Sequence, residues 1–131
     1  MLKRSRTLLF LVAATAFVAV QAGDVRAQQQ NTSPYEADLL RLSEIIGSVH
    51  FLSLICAPED GLIWHEKMQE MIEAEGTTEL RRAKLVERFN SGFSGFQATY
   101  QKCTPSAETV RARFLEEAED IVLRLTRDFG S

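Results

Sequence analysis

The sequence has few of the residues on which catalytic and metal sites are built. Only two cysteines and two histidines occur among its 131 residues. No phosphate loop and no Gly-x-Ser-x-Gly elbow is present. His65-Glu66 opens the zinc-protease pattern, but Gln69 stands where the second histidine is required. We therefore expect a protein that is not an enzyme and that needs no cofactor.

Long apolar runs are also missing, and the one near the N-terminus is short. Three basic residues within the first six precede an apolar run from Leu8 to Val20. Those 13 residues compare with roughly 20 for a membrane-spanning helix. Small-residue cleavage patterns end at Ala22 and Ala27, which completes the layout of a secretory signal peptide. We predict a leader over residues 1–27, with cleavage after Ala22 and a retained anchor as alternatives.

Positive charge is scarce in the chain that would remain after cleavage. The leader holds four of the 15 basic residues and one of the 18 acidic residues, so its removal leaves a net charge of −6. Nucleic acids and anionic lipid surfaces are bound through clustered lysine and arginine, and no such stripe is present. We expect a periplasmic protein that binds no nucleic acid and does not insert stably in a membrane after cleavage.

The two cysteines, Cys56 and Cys103, both lie in the mature part of the chain. In an oxidising compartment such a pair predicts one disulfide. The closed loop of about 48 residues corresponds to about 4 kcal/mol of stabilisation on the chain-entropy model. The alternative is a redox or metal pair, but redox cysteines are normally separated by two residues.

The mature chain is patterned for helices throughout. Residues 28–33 are polar and predict a flexible start, whereas residues 34–131 contain four segments with apolar residues at helical spacing and no strand-like alternation. The expected fold is an all-α, compact four-helix domain, with its disulfide linking the ends of helices 1 and 3. Predicted helix starts are the Ser33-x-x-Glu36 capping box, Gly61, Thr78, and Thr104 followed by Pro105.

Helix 3 combines a narrow aromatic stripe with two glycines. Gly92 lies inside the stripe that contains Phe93 and Phe96, and Gly95 lies at its edge. Because glycine costs a helix interior about 1 kcal/mol, another backbone or a ligand is expected to come close there. We favour helix 1 as the neighbour of Gly92, since it has its own small pair at Gly47-Ser48. A ligand cleft is the alternative.

Two further features, His50 on helix 1 and a set of three residues on helix 2, have both a structural and a functional interpretation. His50 lies on an apolar face of helix 1, where it is either a hydrogen-bonded core residue or a ligand contact. His65, Met68 and Met71 step along one edge of helix 2, a spacing that could suit a soft metal. Methionines are also common core fillers, and the metal ligand set is incomplete, so no bound metal is expected.

Three stretches together resemble a family of small exported alphaproteobacterial proteins. They are Tyr35–Glu44, Leu62-Ile63-Trp64 with Met68, and the Phe-Asn-x-Gly-Phe-x-Gly-Phe run from Phe89 to Phe96 followed by Cys103-Thr104-Pro105. The resemblance implies a periplasmic location and a domain of unknown function, and it supplies no catalytic residues. The functional expectation is a non-enzymatic interaction protein with an unidentified partner in the cell envelope. A small-molecule or metal carrier is the alternative.

Overall fold

Four α-helices and one short 3₁₀ turn make up the part of the chain that the computed structural model describes, residues 33–130. The helices are α1 (Glu36–Cys56), α2 (Gly61–Glu75), α3 (Glu79–Thr99) and α4 (Pro105–Phe129), and the turn is Pro58–Asp60. No strand occurs between residues 33 and 130. The all-α, four-helix prediction is confirmed. The predicted leader and all but the last residue of the predicted flexible segment lie outside the described residues.

The start of α1 differs from the predicted capping box. Tyr35 precedes the helix without a side-chain cap, and the Ser33 carbonyl accepts a hydrogen bond from the Glu36 amide at 2.9 Å. The carboxylate of Glu36 does not reach back to Ser33, because it lies 3.1 Å from the guanidinium of Arg81 on α3. An ion pair between two helices has therefore replaced the local cap.

The starts of α2, α3 and α4 and the end of α2 follow the sequence signals. α2 ends before Gly76, whose amide donates to the Ile72 carbonyl at 2.8 Å. The hydroxyls of Thr78 and Thr104 accept hydrogen bonds from backbone amides in the first turns of α3 and α4, each at 3.1 Å. Threonine in this role satisfies one of the amides that a helix start leaves unpaired. These starts and the stop of α2 are as predicted.

α1 is the central helix, and the other three pack around it. Its second half is apolar nearly all round, and Val49 and Leu52 are 0% exposed. Within residues 33–130, α1 alone has the length and hydropathy of a membrane-crossing helix. A buried core helix meets the same criterion, and here α1 supplies half of the buried hydrophobic residues.

α3 runs in the same direction as α1 and crosses it closely at two glycines. A Cβ on Gly47 would overlap the backbone carbonyl of Phe89, and one on Gly92 would overlap the carbonyl of Glu44 and lie 2.8 Å from the Ser48 hydroxyl. The prediction that helix 1 fills the notch at Gly92 is confirmed. A Cβ on Gly95 would meet no atom within 4 Å, so the expected close approach there is wrong.

The disulfide joins Cys56 and Cys103, whose Cα atoms are 4.9 Å apart. The pairing is confirmed, but only Cys56 lies at the end of a helix. α3 stops at Thr99, and Cys103 lies in the loop just before α4. Tyr100 and Thr104 are extended, the latter because the proline that follows disfavours a helical conformation at that residue.

Paired charges hold α4 antiparallel to α1. Arg41 binds Glu117 through two hydrogen bonds of 2.7 and 2.9 Å, and Arg124 binds Asp38 through two of 2.9 and 3.0 Å. One side of α4 carries charges of both signs, a pattern most simply typical of a solvated face. Glu117 and Arg124 on that side remain partly exposed but also pair with α1, which presents charges of opposite sign opposite them.

Candidate functional site

A groove separates α2 from α4. Both helices run antiparallel to α1, so they lie side by side and in the same direction, but their backbones do not come close to each other. The space between them has a volume of about 590 Å³. On the other side of α1, by contrast, the rings of Phe96 and Phe114 meet at 5.4 Å and fill the gap between α3 and α4.

Apolar side chains form the floor and both walls of the groove. The floor comes from α1 and consists of Leu39, Leu42 and Ile46. The α2 wall includes Trp64, Met71 and Ala74. The α4 wall includes Leu115, Ala118, Val122 and Leu123. Each wall contains one short side chain, Ala74 on α2 and Ala118 on α4, which leaves the space open. Leu123, which lines the same groove, is 60% exposed.

Arg111 links α4 to α1 and to the turn before α2. Its guanidinium donates to the buried hydroxyl of Ser53 at 2.9 Å and to the carboxylate of Asp60 at 3.3 Å. Arg111 lies one turn before Leu115 on α4, and Asp60 lies one turn before Trp64. The bridge therefore spans from α4 to the start of α2.

Trp64 is the only tryptophan of the chain, and it occupies this groove with an unsatisfied donor. Its ring packs against both the cluster around Met68 and the cluster around Ile121. Its indole N–H is buried and has no hydrogen-bond partner among the described residues. A buried donor without an acceptor is unfavourable by about 1–3 kcal/mol. The indole N–H is therefore an unsatisfied buried donor on a residue that lines the groove.

The rim of the groove is predominantly acidic. It carries one lysine, Lys67, and three glutamates, Glu70, Glu75 and Glu119. The amine of Lys67 lies 2.9 Å from the carboxylate of Glu70, and Glu75 lies 3.5 Å from Arg81. A second carboxylate, that of Glu36, shares the same guanidinium. Negative charge therefore predominates along both edges of the groove.

The predicted contact residue His50 lies away from the groove, between α1, α2 and α3. Its Nδ1 is 2.7 Å from the carbonyl of Gly61, and its ring lies 5.4 Å from that of Phe93 and 5.8 Å from that of Phe89. This contact fixes the tautomer with the proton on Nδ1, because a carbonyl can only accept. The structure therefore matches the hydrogen-bonded interpretation of His50.

Of the predicted contact residues on α3, Gly92, Phe93 and Phe96 pack against neighbouring helices, whereas Gly95 faces open space. Gly92 is packed against α1. Phe93 meets the ring of Phe51 edge-on at 5.4 Å, and Phe96 packs against α4. These rings fill the space around the disulfide end of α1, as a core does. The cleft considered beside Gly92 is therefore replaced by helix contact.

The metal candidates do not converge on one point. His65 is exposed, and its ring centre lies 6.0 Å from that of His50. Met68 is 2% exposed and packs with Met71 in the core cluster that contains Leu39 and Leu85. No group of three or more His, Cys, Asp or Glu side chains within residues 33–130 is arranged to hold a metal ion.

The groove was not predicted from the sequence, although the α4 pattern contained a signal for it. Leu115 and Leu123 lie outside the main apolar stripe of this helix, so its apolar surface is wider than contact with one neighbour requires. The stripe consists of Val110, Phe114, Ala118, Ile121, Val122, Leu125 and Phe129. Such width can indicate either a second neighbour or an open surface. Only the position of α2 distinguishes the two.

Comparison with known proteins gives one match. Residues 34–129 match the model of a protein family described as "Protein of unknown function (DUF2385)". No curated protein and no solved structure matches the chain.

Proposed function

Since the chain belongs to this family, DUF2385, whose description assigns no activity, we propose from the groove that it is an exported, non-enzymatic interaction protein of the cell envelope. The partner would bind between α2 and α4. The observation that carries the proposal is an open, largely apolar groove of about 590 Å³ with walls formed by side chains of α2 and α4. An occupant with an apolar surface would cover these side chains and exclude water from them.

Export is supported by the leader pattern and by the cysteines. A disulfide between Cys56 and Cys103 persists in an oxidising compartment, such as the bacterial periplasm. The resemblance to small exported alphaproteobacterial proteins points the same way. Expression of the full chain in a bacterium, followed by fractionation and mass measurement, tests this. We expect a periplasmic species that begins after Ala27; an uncut species in the cytoplasm would contradict export.

Binding in the groove is tested by site-specific photo-crosslinking in the native host. A photoreactive residue replaces Ala74, an exposed residue that lines the groove, and in a matched strain it replaces Ala98, an exposed residue of α3. We expect a discrete crosslinked protein from position 74 and none from position 98. The same product from both positions, or none from either, would contradict a partner in the groove.

A small-molecule carrier is the second candidate, because the volume of the groove also falls in the usual range for ligand sites, roughly 300–1,000 Å³. Native mass spectrometry of protein isolated from its host separates the two. A bound small mass that is lost in an Ala74→Phe variant would favour the carrier. A clean mass for the unmodified protein favours the interaction protein.

A further inference from the structure

We propose that the occupant of the groove is an amphipathic α-helix of a partner protein, with one apolar face and basic residues along its flanks. This inference rests on the proposed function and names the chemistry of the partner. Two observations carry it, the parallel helical walls of the groove and the sign of the charge at its rim.

The walls favour a helix over an extended segment. From Trp64 to Glu75 the α2 wall spans about 17 Å, or three helical turns. An extended peptide would bring unpaired backbone amides and carbonyls against apolar side chains such as Met71 and Leu123. A helix satisfies those groups internally and presents apolar residues three and four positions apart, so the apolar walls need to supply no hydrogen bonds.

The rim favours basic flanks on that helix. Glu70 and Glu75 stand on the α2 side and Glu119 on the α4 side. Glu70 is paired with Lys67, and Glu75 with Arg81, a cation that it shares with Glu36, so the net charge of the rim stays negative. Lysine or arginine on both flanks of the incoming helix would face these carboxylates. Charge complementarity of this kind contributes mainly to specificity and to the rate of association, while the apolar face supplies the contact area.

Intrinsic fluorescence provides the test, because Trp64 is the only tryptophan and lines the groove. The full chain is expressed and the processed protein is titrated with three synthetic peptides that contain no tryptophan. One has a leucine-alanine face with lysine flanks, one has the same face with glutamate flanks, and one has the lysine flanks and two central prolines. We expect a saturable change in emission with the first peptide and binding about tenfold weaker for the second. The difference should shrink in high salt. The third should not bind, since proline breaks the helix.

Two matched pairs of variants locate the site. Ala74→Phe fills the groove and should weaken binding of the lysine-flanked peptide at least tenfold, whereas Ala98→Phe on α3 should leave binding unchanged. Glu119→Lys should weaken binding of the lysine-flanked peptide and strengthen that of the glutamate-flanked one. Glu116→Lys adds the same charge to the same helix at an exposed position that does not line the groove, and it should preserve the discrimination.

Several results would overturn the inference. Equal binding of the lysine- and glutamate-flanked peptides would show that basic flanks are not required. Equal binding of the proline peptide would show that the occupant need not be a helix. A Trp64 response to lauric acid but to no peptide points to a small apolar ligand. A response to protein concentration alone points to a second copy of the chain. A crosslinked partner at position 74 without any peptide binding refutes this inference and leaves the proposed function standing; failure of both experiments refutes both.

Discussion

Gly47 and Gly92 decide how closely α1 and α3 approach. The missing side chains let each helix pack against backbone atoms of the other, so that Ser48 and the carbonyl of Glu44 lie directly over Gly92. Close packing provides dispersion contacts that offset the low helix propensity of glycine. Gly95, one turn along α3, faces open space and serves as the natural comparison.

We expect Gly92→Ala to lower the free energy of unfolding by about 1–3 kcal/mol, because the new methyl group overlaps the backbone of α1. Gly95→Ala introduces the same group at an open position, and it should leave stability unchanged or raise it by up to about 1 kcal/mol. Urea denaturation of the two variants measures both values. Equal stability of the two would contradict the close crossing.

We also expect no stoichiometric copper or zinc in protein purified without chelator, because Met68 and Met71 are buried in the core while His65 is exposed. Elemental analysis checks this. Bound metal that disappears in a His65→Ala variant would overturn the prediction and would place the site beside His50, whose ring is nearby.

Among the elements, α4 joins α1 through both apolar packing and two bidentate ion pairs. It packs on α1, and its charged residues Glu117 and Arg124 pair with Arg41 and Asp38. The hydrogen bonds from Arg124 lower the pKa of the Asp38 carboxyl, and those from Arg41 lower the pKa of the Glu117 carboxyl. Both pairs connect α4 to α1, beside the apolar contacts that Ile121 and Ala107 make with that helix.

The lowered pKa values of Asp38 and Glu117 make the free energy of unfolding depend on pH in the acidic range. A carboxyl group whose pKa is lower in the folded state stabilises the fold above its unfolded pKa, and this contribution is lost as the pH falls through the folded pKa. We therefore expect stability to decrease below about pH 4, where unfolded Asp and Glu carboxyls titrate. The double variant Asp38→Asn, Glu117→Gln should be less stable at pH 7 and should show a shallower decrease in thermal unfolding scans between pH 5 and 2. An equally steep decrease in the variant would assign the acid sensitivity to other groups.

At the scale of the whole molecule, the disulfide ties the end of the central helix to the loop before α4. It closes a loop across a sequence separation of 47 residues that contains α2 and α3. Cys56 lies among the aromatic residues that fill this end of the core, so the covalent link and the packing support the same arrangement.

Replacement of both cysteines by serine should lower the free energy of unfolding by about 2–5 kcal/mol, because the unfolded chain regains the freedom that the loop removes. Thermal denaturation of the double variant, and of the unmodified protein with and without reductant, measures this. We expect the reduced protein and the variant to melt at similar temperatures, well below the oxidised protein. Coincident curves for all three would show that the bridge does not stabilise the domain.

The sequence by itself determined the helices, the disulfide and the closest helix crossing. The threonine caps and Gly76 act through local chemistry, and each cysteine has only one possible partner. The small residues Gly47 and Gly92 indicated where α1 contacts α3. The predicted capping box at Ser33 was wrong because Arg81, distant in sequence, draws away the carboxylate of Glu36.

Only the tertiary structure decided where the candidate site lies. A groove is a space between elements, and its existence depends on how far α2 stands from α4 around α1. That distance depends on side chains of three helices, among them Ala74, Ala118 and the Arg111 bridge. No single one of these residues reveals the distance in the sequence. Helical periodicity tells which residues share a face, but it does not tell whether a neighbour covers that face, because covering depends on residues far away in the chain.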